Sequence, residues 1–430
     1  MAAFSTRSLL ILTLLLSPAL ACFLGAHGLT RNASESTSNR PSTEKRWYSV
    51  HQLDQVQDPA AVKGESYPWP VTCNRRGKDT VTVLKYCFVG QRDADNLNVL
   101  LAHAISGYAY AMYVSTLWFQ LDDHCKGNPH VYCDSWGIDD DTLRIVDSST
   151  ADPSEPETDW VNYYLREGWD LDNGPGDGNS LASAGYDYYS RFKAGRHRLF
   201  FGHWNKDMIG NEEARYTATA TLMHELGHVI GLLHEHQRPD RDQYLQFNCH
   251  NLEGYKEAKE QLMEDVYNIF PKGMTYMERV NALCTTYDAA KAYLPQALDF
   301  ARDDKMGVYQ EQVYSRSYDY DSIMHYPSYM GSIGAETGTY PVLMRKDNGG
   351  PLYFGGTPDI AEFELSRGDI ARIAQLYRHP SPNAEQQAAL GLVKWAPSPM
   401  RVKVRDAVVD FETTVFPPRA SSTAAAKREL

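Results

Sequence analysis

Residues 224–235 read His-Glu-Leu-Gly-His-Val-Ile-Gly-Leu-Leu-His-Glu, which places three imidazoles and a carboxylate around a glycine in one short stretch. Histidines four positions apart fall one turn apart on the same helix face, and Glu225, one residue past His224, is displaced enough to reach a water there without being a ligand. His234 cannot join His224 and His228 on a continuing helix. Ten residues of helix advance about 15 Å, whereas zinc ligands lie about 2.0–2.1 Å from the ion. Gly231 offers the way out, because glycine enters the left-handed conformation that ends helices at little cost. Three neutral imidazoles with a fourth position left open are the donor pattern of one catalytic Zn2+ rather than of a closed structural site. The chemistry that follows is hydrolysis. Zinc makes water acidic and polarises a carbonyl, and Glu225 is placed to act as general base and then to pass the proton to the leaving amine.

These side chains need a helix and a frame to hold it. Leu222, Met223, Leu226, Val229 and Ile230 supply the apolar residues of a half-buried helix, with Thr217 and Thr219 as candidate caps. Upstream, Thr80 to Val89 reads as a strand rich in β-branched and aromatic residues. Ala94 to Thr116 has helical spacing at Leu97, Leu100, Leu101 and Ile105, and residues 142–147 and 196–202 read as further strands. Residues 250–316 form a charged, helical insertion expected at the far rim of a cleft.

The chain resembles the metzincin clan of zinc endopeptidases in its HExxHxxGxxH run, and Glu235 directs the resemblance to the astacin family. His236-Gln237-Arg238-Pro239-Asp240-Arg241-Asp242 is similar to the astacin extension, and Ser322-Ile323-Met324-His325-Tyr326 to the SxMHY turn. The resemblance implies an α+β metzincin-type zincin fold. That fold has a mixed β-sheet with backing and active-site helices above a cleft, and a less regular C-terminal subdomain. It also implies zinc ligation by His224, His228 and His234, and catalysis by Glu225 with Tyr326. Tyr326 would approach the metal in the resting state and swing away to stabilise the tetrahedral intermediate. Gly231, Glu235 and Met324 would be structural, Met324 as an apolar floor under the metal and Glu235 linked to the amino terminus of the processed chain. His325 is read as structural or surface. Substrates would be proteins or peptides.

The ends of the chain speak to compartment. Arg7, the apolar run Leu9–Leu16 and Ala19-Leu20-Ala21 make a charged region, a hydrophobic region and a cleavage site, so residues 1–21 are read as a signal peptide of a secreted, extracellular protein. Residues 22–46 are read as a propeptide ending at the dibasic pair Lys45-Arg46, a site for a processing protease. They carry a glycosylation sequon at Asn32, and the propeptide extends to 59 if the mature chain starts at Ala60 instead. The catalytic domain would then be 47–380, with a C-terminal tail, partly disordered, at 381–430. No later segment is long enough to span a bilayer. The formal net charge of −13 argues against a nucleic-acid partner.

Beyond Cys22 six cysteines remain, an even set that suggests three disulfides in an oxidising compartment. Cys125 with Cys133 and Cys249 with Cys284 are favoured on proximity. Residues 170–178 have the look of a calcium loop, but Leu181 stands where a bidentate glutamate belongs, so a solvated turn is expected. His103, His124, His130, His197, His203 and His250 lack ligand spacing and are read as ordinary. Two alternatives stay open: a zinc hydrolase of a non-peptide bond, and an inactive protease scaffold used for binding. The second would be expected to lack Glu225 or a ligand, and this chain lacks neither.

Overall fold

A computed structural model describes residues 48–50, 67–73, 80–125, 132–133, 138–149, 180–190, 193–202, 208, 210–264, 267–302, 313–314, 317–359 and 363–379. The signal peptide, the dibasic pair, the alternative start at Ala60, the 170–178 loop and the tail beyond 380 lie outside them.

The chain runs β1 (Tyr48–Ser49), β2 (Thr72–Cys73), β3 (Thr80–Phe88), α1 (Gln91–Gly107), α2 (Ala109–Val114), β4 (Leu117–Leu121), β5 (Leu143–Asp147), β6 (Leu181–Ala182), β7 (Arg198–Phe201) and α3 (Glu212–Val229). Beyond α3 it continues through β8 (Leu245–Phe247), α4 (Tyr255–Gln261), α5 (Tyr276–Ala282), α6 (Tyr287–Tyr293), β9 (Val313–Tyr314), β10 (Leu343–Arg345) and α7 (Arg367–Leu376). The arrangement is α+β. β4, β3, β5 and β7 are parallel, while β6 on β7 and β2 on β3 are antiparallel, which makes the sheet mixed. β5 is buried along its whole length, as a central parallel strand covered on both faces must be.

Helices α1 and α3 pack together against this sheet. Leu97, Leu100 and Leu101 of α1 share one core with Leu84 and Ile145 of the sheet and with Leu222, Met223 and Leu226 of α3. After α3 regular structure thins. The second half has its own core, in which Leu252, Ala258, Leu262, Val280, Leu283 and Ala290 of the insertion meet Tyr318, Leu343 and Leu352.

Three local expectations need correction. The helix expected over Ala94–Thr116 starts at Gln91 and is two helices, α1 and α2, divided at Tyr108. The residue before the break is Gly107, where a Cβ would stand 2.5 Å from the Met223 methyl, and the Tyr108 hydroxyl donates to the Met223 carbonyl at 2.7 Å. The contact with α3 thus sets the division. Thr217 and Thr219 do not cap α3, which begins further upstream under Asn211, whose side chain accepts from Ala214 N at 3.1 Å. The Thr219 hydroxyl instead donates back to Arg215 O. Finally, Cys133 is bonded to Cys87 and not to Cys125, because Cys133 N donates to Phe88 O and so lies against β3; Cys125 is a buried free thiol beside them. The Cys249–Cys284 bond is present as expected.

His197 is fully buried between the rings of Trp69 and Tyr186, at centroid distances of 4.5 and 4.6 Å, and neither ring nitrogen has a hydrogen-bond partner among the described residues. Burial, reinforced by Arg196 and Arg144, holds its pKa well below the usual value, so it is neutral in the fold. An unfolded chain protonates this ring as the pH falls through about 6.5 while the folded chain does not, so acidification costs stability here. His197→Phe is therefore expected to flatten the fall in melting temperature below pH 6.5 and to leave it little changed at pH 8. An unaltered slope would count against the account.

Candidate metal centre

Helix α3 ends in the turn its sequence demands. With Ile230 as the last half-helical residue, Gly231 takes φ +93°, Gly231 N donates to His228 O at 2.8 Å and Leu232 N to Gly227 O at 2.9 Å. This pair of bonds closes a helix through a left-handed residue. The chain reverses, and His234 comes back over the helix.

His224 Nε2 and His228 Nε2 each lie 3.0 Å from His234 Nε2, and the three ligand atoms fall within 4.8 Å of one another. What faces away from this point decides what faces toward it. His224 Nδ1 contacts Ile323 O at 2.7 Å, His228 Nδ1 contacts Leu232 O at 3.1 Å, and His234 Nδ1 contacts Gln237 Oε1 at 2.8 Å. Each of those partners is an acceptor, so each Nδ1 carries the proton and each Nε2 presents a lone pair. Gln237 is oriented by its own amide, which donates to Leu298 O. Three lone pairs aimed at one point repel unless a cation stands between them. Nitrogens about 2.0–2.1 Å from a tetrahedral zinc would stand roughly 3.3 Å apart, close to the spacing here. Burial lowers His224 to about 4 and holds His228 and His234 well below the ordinary range, so all three are neutral near pH 7, as ligation requires. The residues fit a zinc ion.

A turn at 322–326 closes the site from beneath. Its backbone is clamped on both sides: Ile323 O accepts from His224 and Met324 O from Glu235 N at 3.1 Å. The Met324 sulfur lies 2.5 Å from where a Cβ on Gly227 would be, so the glycine inside the histidine pair is what lets this floor approach the helix. The turn is itself held by Asp369 at the start of α7, which accepts from the Ser322 hydroxyl at 2.7 Å and from Ile323 N at 2.9 Å. Ser366, the cap of α7, donates to Asp319 at 2.6 Å.

Glu235 is fully buried. Arg238 Nη1 donates to it at 2.5 Å and Asp319 N at 2.9 Å. Burial raises Glu235 to about 7 while Arg238 pulls the other way, and burial with mutual repulsion raises Asp319 well above the carboxylate range.

Glu225 and Tyr326 flank the histidines. Glu225 is 6% exposed, and burial alone lifts its carboxyl to about 8 in the metal-free site; a dication beside it acts in the opposite sense. The Tyr326 ring lies 4.7 Å from that of His234 and is stacked on His236 at 4.3 Å, and burial raises its phenol so that it stays a donor. His325 is wholly buried, with Nε2 2.8 Å from the Tyr318 hydroxyl. A recess of about 560 Å³ runs along the first half of α3, lined by Phe201, Met208, Ala214, Thr217 and Thr221. It lies beside the histidines rather than over them. Thr217, Thr221 and Glu225 follow at helix-turn intervals, so it leads toward the carboxylate.

All the residues singled out in the sequence converge here: His224, His228, His234, Glu225, Tyr326, Gly231, Glu235 and Met324. Sequence reasoning gave no role to Gly227, Gln237, Asp369 or Phe300, or to His236, whose ring is the platform under Tyr326 and is fixed by the Asp299 carbonyl at 2.8 Å. The tip of the insertion supplies that carbonyl and also Phe300, 5.7 Å from the Tyr326 ring, so the insertion does reach the rim of the site.

A mixed sheet over a helix bearing two histidines, with the third beyond a glycine turn and a methionine beneath, defines a metzincin-type metal domain. Residues 209–277 match the model of the peptidase family described as Astacin, and through this segment the chain is identified with the astacin family of zinc peptidases. It is 30% identical to mouse Tolloid-like protein 2 over 171 residues, 40% of this chain and 12% of that one. It is 33% identical to the Bone morphogenetic protein 1 homolog of Strongylocentrotus purpuratus over 161 residues, 37% of this chain and 18% of that one. It is also 48% identical to Astacin-like metalloprotease toxin 4 of Loxosceles laeta over 50 residues, 11% of this chain and 44% of that one. The chain thus spans less than half the length of each of these relatives. Among solved structures, the high choriolytic enzyme 1 of Oryzias latipes, a hatching enzyme zinc-protease, is similar with a TM-score of 0.36 and 16% identity over 73% of this chain and 94% of that one.

The clamp on the 322–326 turn makes a prediction. Asp369→Ala leaves Ile323 N and the Ser322 hydroxyl without their buried acceptor, a loss of about 3 kcal/mol. Urea unfolding should show that loss, and zinc should be held more weakly because Ile323 O no longer sits under His224. Stability and zinc affinity both unchanged would show that the turn holds itself.

Proposed function

We propose that this protein is a secreted zinc-dependent endopeptidase, made as a zymogen, that hydrolyses internal peptide bonds of proteins. The observation that carries this reading is the convergence of three Nε2 lone pairs beside the buried carboxylate of Glu225. His224, His228 and His234 would hold the ion. Zinc in such a set supplies Lewis acidity, which polarises a carbonyl oxygen and makes water acidic near neutral pH.

The chain's own residues do the rest. Glu225 takes a proton from the attacking water onto its carboxylate and returns it to the nitrogen of the leaving amine. The Tyr326 hydroxyl, with its proton held by burial, donates toward the carbonyl oxygen as negative charge develops there. His236 and Phe300 fix the ring that carries that hydroxyl. Leu298 O and Gln237 orient His234, and the 322–326 turn orients His224, so that the ligands do not reorganise during the reaction. Residues 1–21 would direct secretion and 22–46 would be removed at Lys45-Arg46. No helix among the described residues is long and apolar enough to cross a membrane.

The test is cleavage of an unfolded protein by the secreted, processed chain, before chelation, after it and after zinc is restored. Zinc should restore internal cuts, and Glu225→Gln should keep its zinc while losing roughly 10²- to 10⁴-fold in kcat. A zinc-loaded chain that leaves peptide bonds intact but hydrolyses an ester or another bond would move the non-peptide reading ahead. Full activity in Glu225→Gln would remove the assigned base.

A further inference from the structure

The segment just past Lys45-Arg46 is built into the metal-bearing turn. β1 pairs antiparallel with β9, with Tyr48 opposite Tyr314 and Ser49 opposite Val313. The next residue, Val50, is 1% exposed and is gripped from three directions. Its N–H donates to Gly231 O at 2.9 Å, its carbonyl accepts from Arg372 Nη2 at 2.8 Å, and its Cγ2 lies 2.7 Å from where a Cβ on Gly231 would stand. Arg372 is itself buried at 1% and belongs to α7, the helix whose first turn holds residues 322–323 through Asp369.

Gly231 is the residue on which the return of His234 depends, and its carbonyl is held by Val50. We infer that residues 48–50 are a strap that positions the Gly231 turn, and through it the spacing of His228 and His234, so that zinc retention depends on where the amino-terminal segment is cut. A cut after Arg46 leaves the strap in place. A cut before Ala60 removes it, and with it the acceptor of Arg372 and the donor to Gly231 O. The amino-terminal segment is then part of what holds the metal in addition to any role in latency. Val50 is a positioning residue and touches neither metal nor substrate.

The inference rests on the metal-site reading, and the test separates the two. Zinc stoichiometry and affinity are measured on the full chain by competition with a chromophoric chelator, for the unaltered protein, Val50→Pro, Val50→Gly and Arg372→Gln. Val50→Pro deletes the N–H donated to Gly231, and Val50→Gly deletes the side chain packed on it. Leu117→Ala, a buried change in β4, serves as a control for general loss of stability. The unaltered chain should bind one zinc. The three strap variants should hold it about 10-fold or more weakly, the usual scale for outer-shell support, with an altered visible spectrum after cobalt substitution. Leu117→Ala should lower the melting temperature without moving zinc affinity. If the unaltered chain binds one zinc and Val50→Gly and Arg372→Gln bind it as tightly, the strap is wrong and the metal site stands. If the unaltered chain binds none, the metal-site reading fails and the strap falls with it.

Discussion

Three imidazoles can aim lone pairs at one point only if each gives up its proton on the far side. In this protein Ile323 O, Leu232 O and Gln237 Oε1 accept those protons, and they come from three different places: the turn below the site, the reversal after α3, and a short helical turn braced by the insertion. The convergence is therefore a property of the whole molecule. The helix supplies the one-turn spacing of His224 and His228, Gly231 supplies the reversal, and the second half of the chain sets tautomer and tilt. In the metal-free protein the result is electrostatically unfavourable, with neutral acceptors facing one another in a buried space; a dication at the centre turns the same arrangement into a ligand set.

The lower half meets this demand with buried charge. Glu235, Asp319 and Asp369 are all nearly inaccessible, and carboxylates in such surroundings are tolerated only when paired or well supplied with donors. Arg238 answers Glu235 and at the same time donates to Ser317 O and to both oxygens of Asp240. Asp369 collects the Ser322 hydroxyl and the Ile323 N–H, and caps α7 through Ser366. The network ties four chain segments that are remote in sequence to the underside of the metal site. It gives a region with little regular structure the rigidity that catalytic side chains need. The 48–50 strap does the same for the turn above, from the opposite end of the chain.

The ligands were readable because their arrangement is local. A four-residue interval on a helix, a carboxylate in the next position and a glycine where the chain must turn are consequences of helix geometry alone, and Gly231 at φ +93° meets that requirement directly. The strands β3, β5 and β7 were readable for a similar reason, since their β-branched and aromatic runs are short and continuous. What was hidden depends on partners distant in sequence. Cys133 was expected to bond Cys125, eight residues away, yet lies on β3 beside Cys87 because Cys133 N pairs with Phe88 O. Asn211 and not a threonine starts α3, since the length of the helix is set by its packing under β7 and its capping residue follows from that length. The division of the 91–114 helix at Tyr108 answers to Met223 on α3. Asp369, about 150 residues from the histidines, carries no local mark of its role beyond the Ser-x-x-Asp box that caps α7. His236 and Phe300 gain their part only when Tyr326 comes to rest between them.

The central claim is that His224, His228 and His234 form one zinc site through their Nε2 atoms. X-ray absorption at the zinc edge on the purified, secreted chain tests it most directly. The account predicts one zinc per chain with three imidazole nitrogens at about 2.0–2.1 Å and lighter-atom coordination completing the shell. Sulfur ligation at about 2.3 Å, or a zinc signal that survives replacement of all three histidines, would contradict it.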